Sequence, residues 1–211
     1  MIDHTILKPN ATASQIDKLC KEAKEFGFCS VCVNPVWVQR CKSALSGTKV
    51  KVCTVIGFPL GATSTEAKAA EACIALKHGA DELDMVLNVG KLLDGELAYV
   101  ERDIRAVVDE ARGRVVKVIL EICYLDEKQI VQACKLAEKA GVRFVKTSTG
   151  FGPSGATVEA VKLMRESVSQ RIGVKAAGGI KDYKTAMQMV KAGANRIGAS
   201  ASVEIIKVAE K

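Results

Sequence analysis

Eight short apolar runs alternate with segments of helical period along this 211-residue chain, and that alternation constrains the fold more than any other feature. The runs lie near residues 2–6, 28–33, 50–56, 82–88, 115–122, 142–147, 172–177 and 195–199. Residues 14–26, 65–78, 97–111, 127–140, 157–168 and 183–192 carry apolar side chains at roughly i, i+3 and i+4, the pattern of amphipathic helices. The runs around 50–56 and 115–120 are rich in Val and Ile, as expected of parallel strands covered on both faces. Eight strand–helix units of about 26 residues each predict an α/β fold, a single-domain (β/α)8 TIM barrel over residues 1–211. No Pro/Ser-rich linker divides the chain.

A weak internal repeat sharpens this expectation. Gly27, Gly79, Gly141 and Gly193 each follow a helical segment and precede an apolar run, at spacings of 52, 62 and 52 residues. Glycine there suits the left-handed residue that closes a helix. Five residues beyond each glycine stand Cys32, Asp84, Lys146 and Gly198. Barrel interiors are layered, with four side chains per layer from alternate strands, so equal registers place these four in one layer. Three residues beyond each glycine stand Ser30, Glu82, Phe144 and Arg196, a second layer in which Glu82 and Arg196 are expected to pair.

Composition excludes several classes. With 48% hydrophobic and 26% charged residues the chain is not a disordered one, and no apolar run approaches the roughly 18–20 residues of a membrane span. Met1-Ile2-Asp3 opens without a basic-then-apolar leader, so a cytoplasmic location is expected. The net charge of +7 is scattered along helical segments, and aromatics at 4% leave little for stacking nucleic-acid bases. The charge reads as solvated helix faces or as attraction for an anionic small substrate. Eight cysteines in a chain of this kind read as reduced thiols. Cys29-Ser-Val-Cys32 has redox or zinc spacing, but within a strand the two thiols point to opposite faces. His4 and His78 are the chain's two histidines, too few for a multi-histidine metal centre, and no metal is expected.

The chemistry is expected from two lysines. Lys146 ends one apolar run and Lys175 lies in the next, each just before a loop of small residues. Neighbouring strands are about 4.8 Å apart, so inward-facing lysines here approach closely. A close cationic neighbour and desolvation both favour a neutral, nucleophilic amine. Bringing a lysine from about 10.4 to near 7 requires roughly 4–5 kcal/mol. Outward-facing lysines, and a plain salt bridge for Asp84, are the alternatives. The loops Thr147–Gly152, Gly178-Gly179 and Gly198–Ser202 follow the sixth, seventh and eighth runs. Loops after strands 7 and 8 with a short helix commonly hold phosphate in barrels, whereas a Gly-Gly pair alone more often marks a tight turn.

Asp3-His-Thr5, Asp84-Met-Val, Val145-Lys-Thr-Ser-Thr-Gly150, Lys175-Ala-Ala-Gly-Gly179 and Arg196-Ile-Gly-Ala-Ser200 together resemble the deoxyribose-phosphate aldolases, in order and spacing, over nearly the whole chain. The resemblance implies a reversible class I aldol cleavage of 2-deoxy-D-ribose 5-phosphate to D-glyceraldehyde 3-phosphate and acetaldehyde, with no metal or other cofactor. It implies Lys146 as the Schiff-base nucleophile, Lys175 as the cation that lowers its pKa and joins the proton relay, and Asp84 as general acid and base acting with a water. Asp3 and Thr5, at the mouth of strand 1, and Cys32 match positions near the substrate. Thr147, Gly150, Gly178, Gly179, Gly198 and Ser200 match substrate- and phosphate-contacting segments. A homodimer or higher homo-oligomer is implied, with no nucleic-acid or membrane partner. Ala201 replaces a second serine found in many members, the N-terminal helix of many members is not in the sequence, and Glu210-Lys211 differs from the terminal tyrosine of some. Another phosphosugar barrel (an isomerase or a transaldolase-like enzyme) and a non-catalytic sugar-phosphate binder remain the competing readings.

Overall fold

The structure, a computed structural model, describes residues 1–209; the chain end at Glu210-Lys211 lies outside them. Its strands are β1 (Ile2–Ile6), β2 (Ser30–Val33), β3 (Lys51–Ile56), β4 (Glu82–Val86), β5 (Val115–Ile119), β6 (Phe144–Lys146), β7 (Gly173–Ala177) and β8 (Arg196–Ala199). All are parallel and hydrogen-bond in sequence order, and β8 returns to β1 through Ile2 opposite Ile197, which closes the barrel. The helices are α1 (Ala13–Glu25), α2 (Val38–Ala44), α3 (Thr65–Lys77), α4 (Val89–Leu93), α5 (Leu97–Glu110), α6 (Glu127–Lys139), α7 (Val158–Ser167), α8 (Tyr183–Lys191) and α9 (Ser202–Ala209). The (β/α)8 barrel expected from the alternation is thus the observed fold.

Helix starts are set locally. The Ser64 hydroxyl accepts from Ala67 N at 3.2 Å to open α3, and Asp126 and Gln129 cap each other's backbone at 2.8 Å to open α6. The four repeat glycines lie between φ 62° and 113°, at the ends of α1, α3, α6 and α8. Each stands three residues before an even-numbered strand, so the even strands enter the barrel in a common register.

Alternate strand residues face outward and inward. Val31, Val52, Leu83, Val116, Val118, Val145, Val174 and Ile197 face the helices in one continuous apolar core with Ile16, Leu19, Ile104 and Met164. Fully burying such side chains contributes about 1.5–3 kcal/mol each. The inner side divides in two. Leu7, Cys32, Cys53 and Val55 form a small apolar wall with Phe58, while the opposite side carries buried charge from β1, β4, β5, β6 and β7. The periodicity did not predict α2, which has seven residues after a 3-10 turn at Pro35–Trp37 and is too short to establish a helical period. No helix among the described residues is long and apolar enough to cross a membrane.

Candidate active site

The lowest inward layer is Ser30, Glu82, Phe144 and Arg196, with the Arg196 guanidinium 3.6 Å from Glu82 as expected. Strand pairing sets Asp3, Cys53, Lys117 and Lys175 of the odd strands in the layer above it. Cys32, Asp84, Lys146 and Gly198 come next, then Thr5, Val55, Ile119 and Ala177 toward the C-terminal mouth.

Charge concentrates where the two middle layers meet. Asp84 Oδ2 accepts from Lys146 Nζ at 2.8 Å and from Lys175 Nζ at 2.7 Å. Its Oδ1 accepts from Lys117 Nζ at 2.8 Å and from the Cys53 thiol at 3.1 Å. Lys175 also lies 2.6 Å from Asp3 Oδ2, and Lys117 2.6 Å from Glu82. Asp3 Oδ1 in turn takes Arg196 at 2.6 Å and the Ser30 hydroxyl at 2.7 Å. Lysines 117, 146 and 175 and Arg196 therefore share the carboxylates of Asp3, Glu82 and Asp84, one positive charge in excess when every group is ionised.

Burial alone would raise the Asp84 carboxyl, but Lys117, Lys146 and Lys175 outweigh it and hold it well below the usual carboxylate range. Burial likewise opposes a charge on Lys175, yet Asp3 and Asp84 hold it well above the ordinary lysine value. For Lys117 the same contest is won by Asp84, Cys53, Asp3 and Glu82, and its ammonium is also held well above the ordinary value. Two of the three lysines are thus fixed as cations.

A cavity of about 550 Å³ opens above this cluster. Lys146 reaches it, together with Thr5, Gly150, Gly178, Gly179, Gly198 and Ser200. Gly178 and Gly179 sit at φ 90° and 78°, where a glycine is favoured; a Cβ on Gly178 would lie 3.0 Å from Gly155, whereas one on Gly179 would meet open space. Lys8 and Lys181 stand on the same rim.

Three expectations are revised. Asp3 is not at the mouth: as the second residue of β1 it lies fully buried in the lower of the two charged layers. Thr147 does not line the cavity, because its hydroxyl donates to Ala177 O at 2.9 Å and accepts from Ala177 N at 3.0 Å, latching β6 to β7. Cys32 is fully buried in the apolar wall below the cavity floor. Ser202, next to Ala201, is also enclosed, donating to Ala199 O at 2.8 Å. The bare lysine pair is revised too, since the Asp84 carboxylate stands between Lys146 and Lys175.

Sequence reasoning missed Lys117. The signal was available, a single charge in the otherwise apolar run Val115–Leu120 and in phase with the inward positions. Cys32, Cys53 and Asp84 bring three potential metal-ligating atoms within 4.8 Å of one another. The Lys117 ammonium already occupies that corner, 3.4 Å from the Cys53 sulfur and 2.8 Å from Asp84, and a metal ion there would meet a fixed cation.

The chain matches the DeoC/LacD family aldolase model over residues 1–207. It belongs to the DeoC/LacD aldolase family. A deoxyribose-phosphate aldolase of Streptococcus pneumoniae serotype 19F is 58% identical over 206 residues, covering 98% of this chain and 94% of that protein. One from Geobacillus sp. (strain WCH70) is 59% identical over 208 residues, covering 98% and 93%. The solved tetrameric deoxyribose phosphate aldolase from Aeropyrum pernix superposes with a TM-score of 0.92 at 36% identity, covering 100% of this chain and 89% of that one. Membership makes this barrel an aldolase and sets aside the isomerase and the non-catalytic binder.

Proposed function

We propose that this aldolase cleaves 2-deoxy-D-ribose 5-phosphate reversibly to acetaldehyde and D-glyceraldehyde 3-phosphate through an imine on Lys146. The observation that carries the reading is the charge imbalance at the barrel centre. Four cations face three carboxylates, and release of one proton brings the cluster to neutrality. Among the described residues, Lys175 and Lys117 each face two carboxylates at 2.8 Å or less, whereas Lys146 has only the Asp84 oxygen that it shares with Lys175. Lys146 is also the one of the three that lines the cavity. It is the amine that gives up its proton and meets the substrate.

The neutral Nζ adds to the C1 carbonyl of the open-chain sugar, and the carbinolamine loses water to give the iminium. Cleavage of C2–C3 sends its electron pair into the iminium, forming the enamine, as the C3 hydroxyl proton passes to a base. D-Glyceraldehyde 3-phosphate leaves, the enamine is protonated at C2, and hydrolysis releases acetaldehyde and restores the amine. Asp84, within hydrogen-bond reach of Lys146, acts with a water as the proton carrier for the carbinolamine and enamine steps. Lys175 stays charged and holds Asp84 in place beside Lys146. The imine is the electron sink, so no metal or other cofactor is required. Gly150, Gly178, Gly179, Gly198 and Ser200 line the wall proposed for the phosphate, with Thr5 on the strand next to β8. Asp3, Cys32 and Thr147 act from beneath or beside the cavity rather than by contact.

The whole chain is read as one barrel domain that assembles as a homo-oligomer, in keeping with the tetrameric Aeropyrum pernix relative. The cysteines are all unpaired thiols, which suits the cytoplasm, and no nucleic-acid or membrane partner is proposed. The test is a product assay in the presence of a strong chelator. Equal amounts of acetaldehyde and D-glyceraldehyde 3-phosphate, at a rate unchanged by the chelator, are expected. Absence of cleavage, or its loss on chelation, would refute the reading.

A further inference from the structure

Glu121 follows β5 and has no role in the chemistry above, yet it occupies an unusual position. Leu120 N donates to Lys146 O at 2.9 Å and Ile122 N donates to the next carbonyl, Thr147 O, at 3.1 Å. Two residues thus advance on one strand while one advances on the other. Glu121 is the extra residue of a bulge, with φ 56° and ψ 62°. A non-glycine residue in this left-handed region costs about 1–2 kcal/mol, and bulges beside active sites commonly re-aim a side chain.

Here the side chain is turned into the protein, with the residue only 4% exposed. Its carboxylate accepts from Thr149 N at 3.1 Å and from the Thr149 hydroxyl, and that hydroxyl accepts from Phe151 N at 3.0 Å. Thr149, Gly150 and Phe151 are the stretch of the β6–α7 loop that lines the cavity, beginning three residues after Lys146. A Cβ on Gly152 would lie 2.8 Å from the Cys123 sulfur, so the loop is pressed onto the Glu121–Cys123 segment. At its tip the Phe151 ring meets Phe58 edge to face, centroids 5.2 Å apart. A Cβ on Gly150 would meet Gly178, which puts the loop in the same wall as the glycines of the β7–α8 loop.

We infer that Glu121 is a positioning residue: its buried carboxylate fixes the β6–α7 loop as the wall for the phosphorylated three-carbon end of the substrate, while the amine chemistry at Lys146 proceeds without it. The inference rests on the aldolase reading above. It predicts a separation between two reactions of one active site. Cleavage of 2-deoxy-D-ribose 5-phosphate needs the whole wall. Exchange of deuterium from solvent into the methyl group of acetaldehyde needs only imine and enamine formation at Lys146.

Glu121→Gly removes the carboxylate and relieves the backbone, so the fold is retained; Glu121→Gln keeps the shape and an acceptor oxygen. Glu121→Gly is expected to raise KM for the phosphorylated sugar about tenfold or more, with acetaldehyde exchange within about twofold of wild type, and Glu121→Gln to recover most of the loss. A KM within about twofold of wild type in Glu121→Gly, or a parallel fall in both reactions, would overturn the inference. Wild-type turnover belongs to the aldolase reading and the variant-to-wild-type ratio to Glu121, so the two fail separately.

Discussion

Two buried lysine sites in this molecule differ in how their charge is matched. On the helical side, Lys68 of α3 is fully buried and meets Asp103 of α5 at 2.6 Å, with Val86 O at 3.0 Å. One cation faces one carboxylate, and the Thr65 hydroxyl completes the second carboxylate oxygen at 2.9 Å. Inside the barrel, Asp84 Oδ2 serves Lys146 and Lys175 at once, and the surrounding carboxylates are outnumbered. A matched pair acts as a structural tie. An over-subscribed carboxylate leaves one amine less fully matched than its neighbours and close to another cation, the setting in which a nucleophilic lysine is found. Burial is common to both sites, so burial alone does not mark the chemistry.

The largest expected effect comes from removing the shared carboxylate. Asp84→Asn should lower kcat by about 10²–10⁴-fold, the range of a general acid–base group, measured by acetaldehyde release under saturating substrate. If kcat stays within a few-fold of wild type, proton transfer does not run through this carboxylate and the contrast between the two sites fails.

The smaller effect is expected at the matched site, and in stability rather than rate. Lys68→Met strands the Asp103 carboxylate and should lower stability by about 3–5 kcal/mol, read from denaturant midpoints. Replacing both partners, Lys68→Met with Asp103→Leu, should restore most of that loss, because no buried charge is left unmatched. Folded enzyme of either variant should retain wild-type kcat. A large fall in kcat in the double variant would show that the helical pair also serves the reaction.

The contrast also explains what was legible in the sequence. The barrel was readable because strand and helix periods alternate throughout, and because Gly27, Gly79, Gly141 and Gly193 fix the even strands in a common register. That register was enough to align Asp84 with Lys146 and to pair Glu82 with Arg196. The odd strands carry no such marker. Lys117 therefore went unrecognised, and Asp3 was placed at the mouth instead of beneath it. Thr147 was misread for another reason: a hydroxyl beside a reactive lysine looks the same in sequence whether it faces a ligand or latches Ala177. Glu121 was invisible because its importance lies in a bulge, a property of two strands together and not of either alone.

The most direct test of the account is to trap the imine. Incubation with acetaldehyde and borohydride, followed by peptide mapping of the three lysines inside the barrel, should place a single ethyl group on Lys146 and none on Lys117 or Lys175. Modification of Lys117 or Lys175 in place of Lys146, or no modification of any of them, would contradict the claim that the excess charge of the barrel centre is released at Lys146.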